Sequence, residues 1–168
     1  MHTYERIPQP DPLPPGFFDI DTHPFRCPDD VVDWARRHPT VGWMTWPEAW
    51  HLDENGTFCC YSKGSSLDSL KGWADDASDL RRAREEGLRT GGCADSWLII
   101  DSRPRWRRDG PTVDEGDVEA FLRLRPRLTA LGVTLVDVMV FDDECHWWSL
   151  HELTTGALTW APPRGEAA

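Results

Sequence analysis

Apolar and polar positions along the chain fall into stretches of distinct period, and each period predicts an element. "CPDDVVDWARRH" (27–38) reads as a helix, with Pro28 at a first helical position, Asp29 and Asp30 at the positive end, and Val31, Val32 and Ala35 on the apolar face. "EAWHL" and "TFCCY" are short β-like runs around Asp53-Glu54-Asn55-Gly56, whose Asn-Gly step is a strong hairpin signal. After a Gly/Ser loop at Gly64–Ser66, "DASDLRRAREEGLR" is amphipathic, with Ala77, Leu80, Ala83 and Leu88 predicted to face one way. Trp97-Leu98-Ile99-Ile100 reads as a core strand that stops at polar Asp101-Ser102-Arg103-Pro104. From Asp114 a long helix is predicted on Val118, Phe121, Leu122, Leu124, Leu128 and Leu131, with Gly132 as its stop and Pro126 expected to kink or break it. "VTLVDVMVF" is the most β-like run, and "HWWSL" is its natural hairpin partner. This order predicts an α/β or α+β layered fold with a mixed sheet.

Organisation follows from the same pattern. Residues 1–26 hold Pro8, Pro10, Pro12, Pro14, Pro15 and Pro24, a spacing that favours an extended arm. The expected division is therefore a Pro-rich arm (1–26), one domain (27–160) and a short tail (161–168).

Composition narrows the function classes. With 29 acidic and 18 basic residues the net charge is -11, so the average surface repels phosphate backbones. Direct DNA binding is disfavoured despite the local cluster of Arg103, Arg105, Arg107 and Arg108. The five cysteines, odd in number and without a CxxC pair, suggest neither a disulfide framework nor a structural zinc site. No apolar segment is long enough to span a bilayer and no signal pattern opens the chain, so a cytoplasmic protein is expected. The ten tryptophans, spread along the sequence, are expected in the core.

Three segments carry a resemblance: "CPDDVVDWARRH...PEAWHLDENGTF", "DSWLIIDSRP...DGPTVDEGDVEAF" and "LTALGVTLVDVMVFDDECHWWSLHE". Together they resemble the JAB/MPN metalloprotease-like domain in its RadC-like form, over roughly residues 27–153. The resemblance implies a single three-layer-like α/β domain of the cytidine-deaminase-like kind, a mixed sheet flanked by helices. It also implies a zinc site of two His and one Asp, a Glu as general base and a Ser that helps hold the intermediate's oxygen. In such a site three protein ligands leave one position open, and the cation lowers the pKa of bound water.

On this chain Glu48 falls at the family's general-base position, Asp101 and Arg103 at the two His positions, Asp117 at the metal Asp and Asp114 at the Ser; Pro104 keeps the family's Pro. A guanidinium only donates hydrogen bonds and stays protonated, so Arg103 opposes a cation at its position. The simplest expectation is a salt bridge from Arg103 to Asp117, Asp114 or Glu48, with no zinc bound. The resemblance thus implies a catalytically inactive protein that binds a protein or peptide tail, with links to DNA repair or mobile elements. The alternatives are a divergent metal-dependent isopeptidase that uses Glu48, and an acidic mimic of DNA.

Rival sites are weaker. Asp142, Asp143, Glu144, Cys145, His146 and His151 match no ligand spacing, and alternate residues of a hairpin point to opposite faces. Glu48, Asp101, Asp114 and Asp117 offer oxygens for Mg²⁺, but Arg103 argues against that ion as well. Cys59-Cys60 lies in a strand-like run without a placed His partner, so a Cys nucleophile is unsupported.

Overall fold

The computed structural model describes residues 24–37, 47–63, 70–75, 77–91, 96–103, 111–142, 146–157 and 159–160. The Pro-rich arm before Pro24, Pro104 and the arginines that follow it, Asp143 to Cys145 and the tail from 161 lie outside these residues. The elements run α1 (Pro28–Arg37), β1 (Glu48–Leu52), β2 (Phe58–Lys63), α2 (Leu70–Asp75), α3 (Ala77–Gly91), β3 (Ser96–Ser102), α4 (Glu115–Ala130), β4 (Thr134–Phe141), β5 (Trp147–Ser149) and α5 (Leu150–Thr155).

One mixed sheet has the order β2-β1-β3-β4-β5. The β3–β4 pair is parallel and the other three are antiparallel. Parallel neighbours need a long crossover, and α4 supplies it. Central β3 is buried at every position, which is why its sequence is a continuous apolar run rather than an alternation.

Side chains alternate across the sheet and build two apolar layers. On one face Trp50, Leu52, Leu98, Ile100, Met139, Phe141 and Trp147 pack with Phe25, with Val31, Val32 and Trp34 of α1, and with Trp160. On the other, Ala49, Trp97, Ile99, Val138, Val140 and Trp148 meet Leu70 and Trp73 of α2, Leu80 and Ala83 of α3, Phe121, Leu124 and Leu128 of α4, and Leu150 of α5. The sheet is therefore covered on both faces, an α/β arrangement.

The β1–β2 turn is closed by Asp53, whose Oδ1 accepts the amides of Asn55 (2.8 Å) and Thr57 (2.9 Å). Gly56 has φ 78°, and a Cβ there would stand 2.7 Å from the Phe25 carbonyl oxygen, so the turn needs glycine for both reasons. Gly132 ends α4 as anticipated, with the Val133 amide donating back to the Leu128 carbonyl at 2.9 Å.

Several expectations are corrected. α4 runs unbroken through Pro126. Pro126 and Leu122, whose carbonyl loses its amide partner, are both exposed, so water can replace that bond. Leu122 (53% exposed) and Leu88 (40%) turn outward instead of joining the apolar faces. Two short helices, α2 and α5, were not anticipated. α5 begins where "HWWSL" was expected to continue as strand, because Ser149 caps it by accepting the Glu152 amide at 3.0 Å. Cys59 is disulfide-bonded, whereas Cys27 is a free thiol. An odd cysteine count does not forbid a bridge, since pairing depends on how the fold places the Cβ atoms. Among the described residues no helix is long and apolar enough to cross a membrane.

Candidate functional site

At the carboxyl end of β3 the chain turns polar, and residues 101 and 103 point to the same face because strand side chains repeat every second position. That face is covered by the first turn of α4, which brings Asp117 over them. The Arg103 guanidinium lies between the two carboxylates. Its Nε and Nη2 donate to Asp101 Oδ2 at 2.9 and 2.7 Å. Its Nη1 and Nη2 donate to Asp117 Oδ2 and Oδ1 at 2.8 and 2.9 Å. Nη1 also donates to the Thr112 carbonyl at 2.8 Å. A guanidinium has five N–H donors, and these five bonds use them all.

The cluster is largely shut from water. The side chains of Arg103, Asp101 and Asp117 are 20%, 7% and 2% exposed. Burial pushes the Asp101 carboxyl above its ordinary range; Arg103 pulls it back and Asp117 adds repulsion. Burial works against the charge on Arg103, but the two carboxylates outweigh it and hold the guanidinium more firmly protonated than usual.

Asp117 has a second task. Its Oδ2 accepts the Asp114 amide at 2.9 Å while Asp114 Oδ1 accepts the Asp117 amide at 3.1 Å, a reciprocal capping box on α4. Asp114 is exposed and pairs with Lys71 of α2 at 3.1 Å, and this hydrogen bond holds its carboxyl below the ordinary range. Arg103 thus ties the end of β3 to the start of α4, and Asp114 ties α4 to α2.

Of the carboxylates anticipated as partners of Arg103, Asp117 is the one it takes, and Asp101 joins it. Glu48 does not. Directly opposed residues in an antiparallel ladder share a face, and Glu48 is opposite Ile100, which belongs to the α1 side. Its Oε2 accepts the Trp50 indole N–H at 3.3 Å on that side. Asp101, one residue past Ile100, points the other way. The sequence placed Glu48 by its position along the chain, and only the strand register shows which face it occupies.

The rival group of turn acids and strand histidines, weighed against from the sequence, is dispersed where it is described. Asp142 and His146 close the β4–β5 turn: Asp142 Oδ1 accepts the His146 amide at 2.8 Å, and Oδ2 lies 2.9 Å from His146 Nδ1. His151 lies elsewhere, with Nδ1 3.0 Å from Arg125 Nη2 and Nε2 3.2 Å from the Thr159 carbonyl. Arginine only donates, so Nδ1 accepts and Nε2 carries the hydrogen. Burial, then the charge of Arg125, lowers the His151 pKa. Among the described residues no group of three or more His, Cys, Asp or Glu is arranged to hold a metal ion.

One buried polar centre was not singled out from sequence. Asp137 on β4 accepts four hydrogen bonds: Oδ1 from the amides of Val138 (2.7 Å) and His151 (2.9 Å), Oδ2 from Ser149 Oγ (2.5 Å) and Trp160 Nε1 (3.0 Å). It joins β4, the start of α5 and the segment leading to Trp160. Burial pushes its pKa up to about 6 against the pull of these donors. Its only sequence signal is a lone acid inside an apolar strand.

No model of a known protein family matches the chain, and no curated protein matches it significantly.

Proposed function

We propose that the chain is a RadC-like JAB/MPN-type domain whose zinc centre has been replaced by an ion pair, and that it binds a protein or peptide tail without cutting it. The observation that carries this reading is the seat of Arg103. On the alignment implied by the resemblance, its guanidinium stands at a metal-ligand position and uses every donor on Asp101, Asp117 and Thr112. It sets one positive charge between the two acids where a metal would set two, and it offers no open coordination position and cannot acidify a bound water. The residues present do not fit zinc, because the ligand oxygens are already held and the third position is a fixed positive charge. Glu48, on the opposite face of the sheet, is not placed to act with Asp101 and Asp117.

The test is metal content together with hydrolysis of extended C-terminal tail peptides by the full chain, with and without added divalent metal. The native chain is expected to hold no stoichiometric zinc and to cleave nothing. The D101H/R103H variant restores two imidazoles on one face beside Asp117 and is expected to gain about one zinc per chain. A folded double variant that takes up no zinc counts against the family reading. Zinc in the native chain that is lost on Glu48→Gln or Asp117→Asn overturns the inactive one.

A further inference from the structure

The segment that follows α5 is tied back to the sheet at one buried carboxyl group. At Gly156 the chain leaves the helix, and its described residues from there to Trp160 belong to no helix or strand. Two contacts draw it inward: His151 Nε2 donates to the Thr159 carbonyl at 3.2 Å, and the Trp160 indole N–H donates to Asp137 Oδ2 at 3.0 Å. Trp160 is buried in the α1-side layer with Leu98, Met139 and Trp147, so packing and a hydrogen bond hold the same ring. A segment without a ladder of its own opens more readily than the sheet beneath it.

Asp137 is where this attachment meets a proton. Its other donors are Ser149 Oγ and the amides of Val138 and His151. Amide and indole N–H groups only donate, whereas the Ser149 hydroxyl can turn to accept, so the site holds the carboxyl in its ionised or its neutral form. On β3 the opposite residue is Leu98, and α1 and β5 meet this layer through Val31, Val32, Trp34 and Trp147, none of which titrates. The titratable and charged side chains beside this centre are His151 of α5 and Arg125 of α4, which pair with each other. Neither charge acts on the Asp137 pKa, which burial raises to about 6 against the four donors.

We propose that the segment ending at Trp160 is a strap latched on the Asp137 carboxyl group, and that loss of the Asp137 proton loosens it. Opening withdraws the indole and lets water reach the carboxylate. Water then replaces the lost donor and the cost of burying the charge falls, so ionised Asp137 gains more from opening than neutral Asp137 does. An acid whose pKa is raised in the closed form favours that form fully below its ordinary 3.8, and ceases to do so as the pH rises through about 6. His151, whose pKa is lowered, takes up its proton on the acid side and cannot loosen the strap as the pH rises. The strap stands or falls independently of the family reading above.

Exchange of the Trp160 indole N–H in the full chain, followed by NMR from about pH 4 to about pH 8, tests it, with the resonance assigned from the Trp160→Phe chain. Its protection relative to free indole is expected to fall by about fivefold to fiftyfold as the pH rises, levelling off above about 6. The buried Trp97 indole N–H is expected to keep its protection throughout. Asp137→Asn keeps the shape and an accepting oxygen but cannot titrate, and its strap is expected to respond to pH no more than Trp97 does. Trp160 protection that is flat in the native chain, that falls in step with Trp97, or that still falls in folded Asp137→Asn overturns the proposal. If Asp137→Asn does not fold, the native chain decides through the Asp137 carboxyl carbon and Trp160 indole proton shifts. A shared midpoint near pH 6 is expected, and separate midpoints overturn the proposal.

Discussion

Arg103 and Asp117 meet through two parallel bonds, Nη1 to Oδ2 at 2.8 Å and Nη2 to Oδ1 at 2.9 Å, across the gap between the end of β3 and the first turn of α4. The bidentate fit fixes the guanidinium plane, and Asp101 completes the set on its other edge. This is a buried ionic cluster with two acids and one base, so its stability rests on the base.

Arg103→Met leaves Asp101 and Asp117 facing each other without a cation. Breaking a buried pair in this way costs about 3–5 kcal/mol, and denaturant unfolding at neutral pH should show a loss of that order. The deficit should shrink as the pH falls, because Asp101, already raised by burial and then deprived of the pull of Arg103, regains neutrality by taking up a proton. A variant within about 0.5 kcal/mol of the native chain at pH 7 shows that the cluster is not needed for the fold.

His51 and Asp137 oppose each other in their effect on acid stability. Burial lowers the His51 pKa from 6.5 to about 4, so its neutral form favours the fold; that contribution is complete above 6.5 and is lost as the pH falls toward 4. Burial raises Asp137 from 3.8 to about 6, so its contribution is greatest below 3.8 and is lost as the pH rises toward 6. Between these limits the two nearly cancel. His51→Leu removes the first, and the stability difference between native and variant should move in favour of the variant by about 3 kcal/mol from pH 7 to pH 4. A difference that does not change with pH shows that His51 does not titrate in this way.

Gly87 on α3 is required by the same histidine. A Cβ at Gly87 would stand 2.1 Å from the His51 ring Cε1, well inside contact distance. Gly87→Ala should destabilise by about 1–3 kcal/mol through overpacking, despite the better helix propensity of alanine. His51→Ala in the same chain should recover most of that loss, and additive losses in the double variant would show that the contact is not the cause.

Two tryptophans distinguish burial from hydrogen bonding. The Trp97 indole nitrogen is buried without a hydrogen-bond partner, while that of Trp160 donates to Asp137 at 3.0 Å. Trp160→Phe should cost more than Trp97→Phe, by about 1–2 kcal/mol, because it removes a donor from a buried carboxylate whereas the other change removes an orphan donor. Thermal or denaturant unfolding of the two variants measures the order, and the reverse order would mean that Asp137 does not depend on Trp160.

Much of the fold follows from local sequence. The period of the apolar residues marks α1, α3, α4 and all five strands, Asn55-Gly56 marks the first hairpin, and Gly132 marks the end of α4. These signals are local because caps, turns and amphipathic faces are made by residues near in sequence. α5 was legible too, since Ser149 and Glu152 have the spacing of a helix cap, but the β-like tryptophans before them hid it.

Which side chains meet was decided only by the tertiary structure. Strand pairing sends Glu48 to the α1 side and Asp101 to the α4 side, although a short apolar run carries no record of which neighbour it will lie beside. The α4 crossover brings Asp117 onto Arg103 across fourteen positions of sequence. The partners of Asp137 come from β5, the start of α5 and the segment at Trp160, and the bridge at Cys59 depends on a spatial approach that a cysteine count does not contain. Sequence determined the elements because their signals lie within a few residues; the structure decided the site because long-range register and crossover placed its charges together.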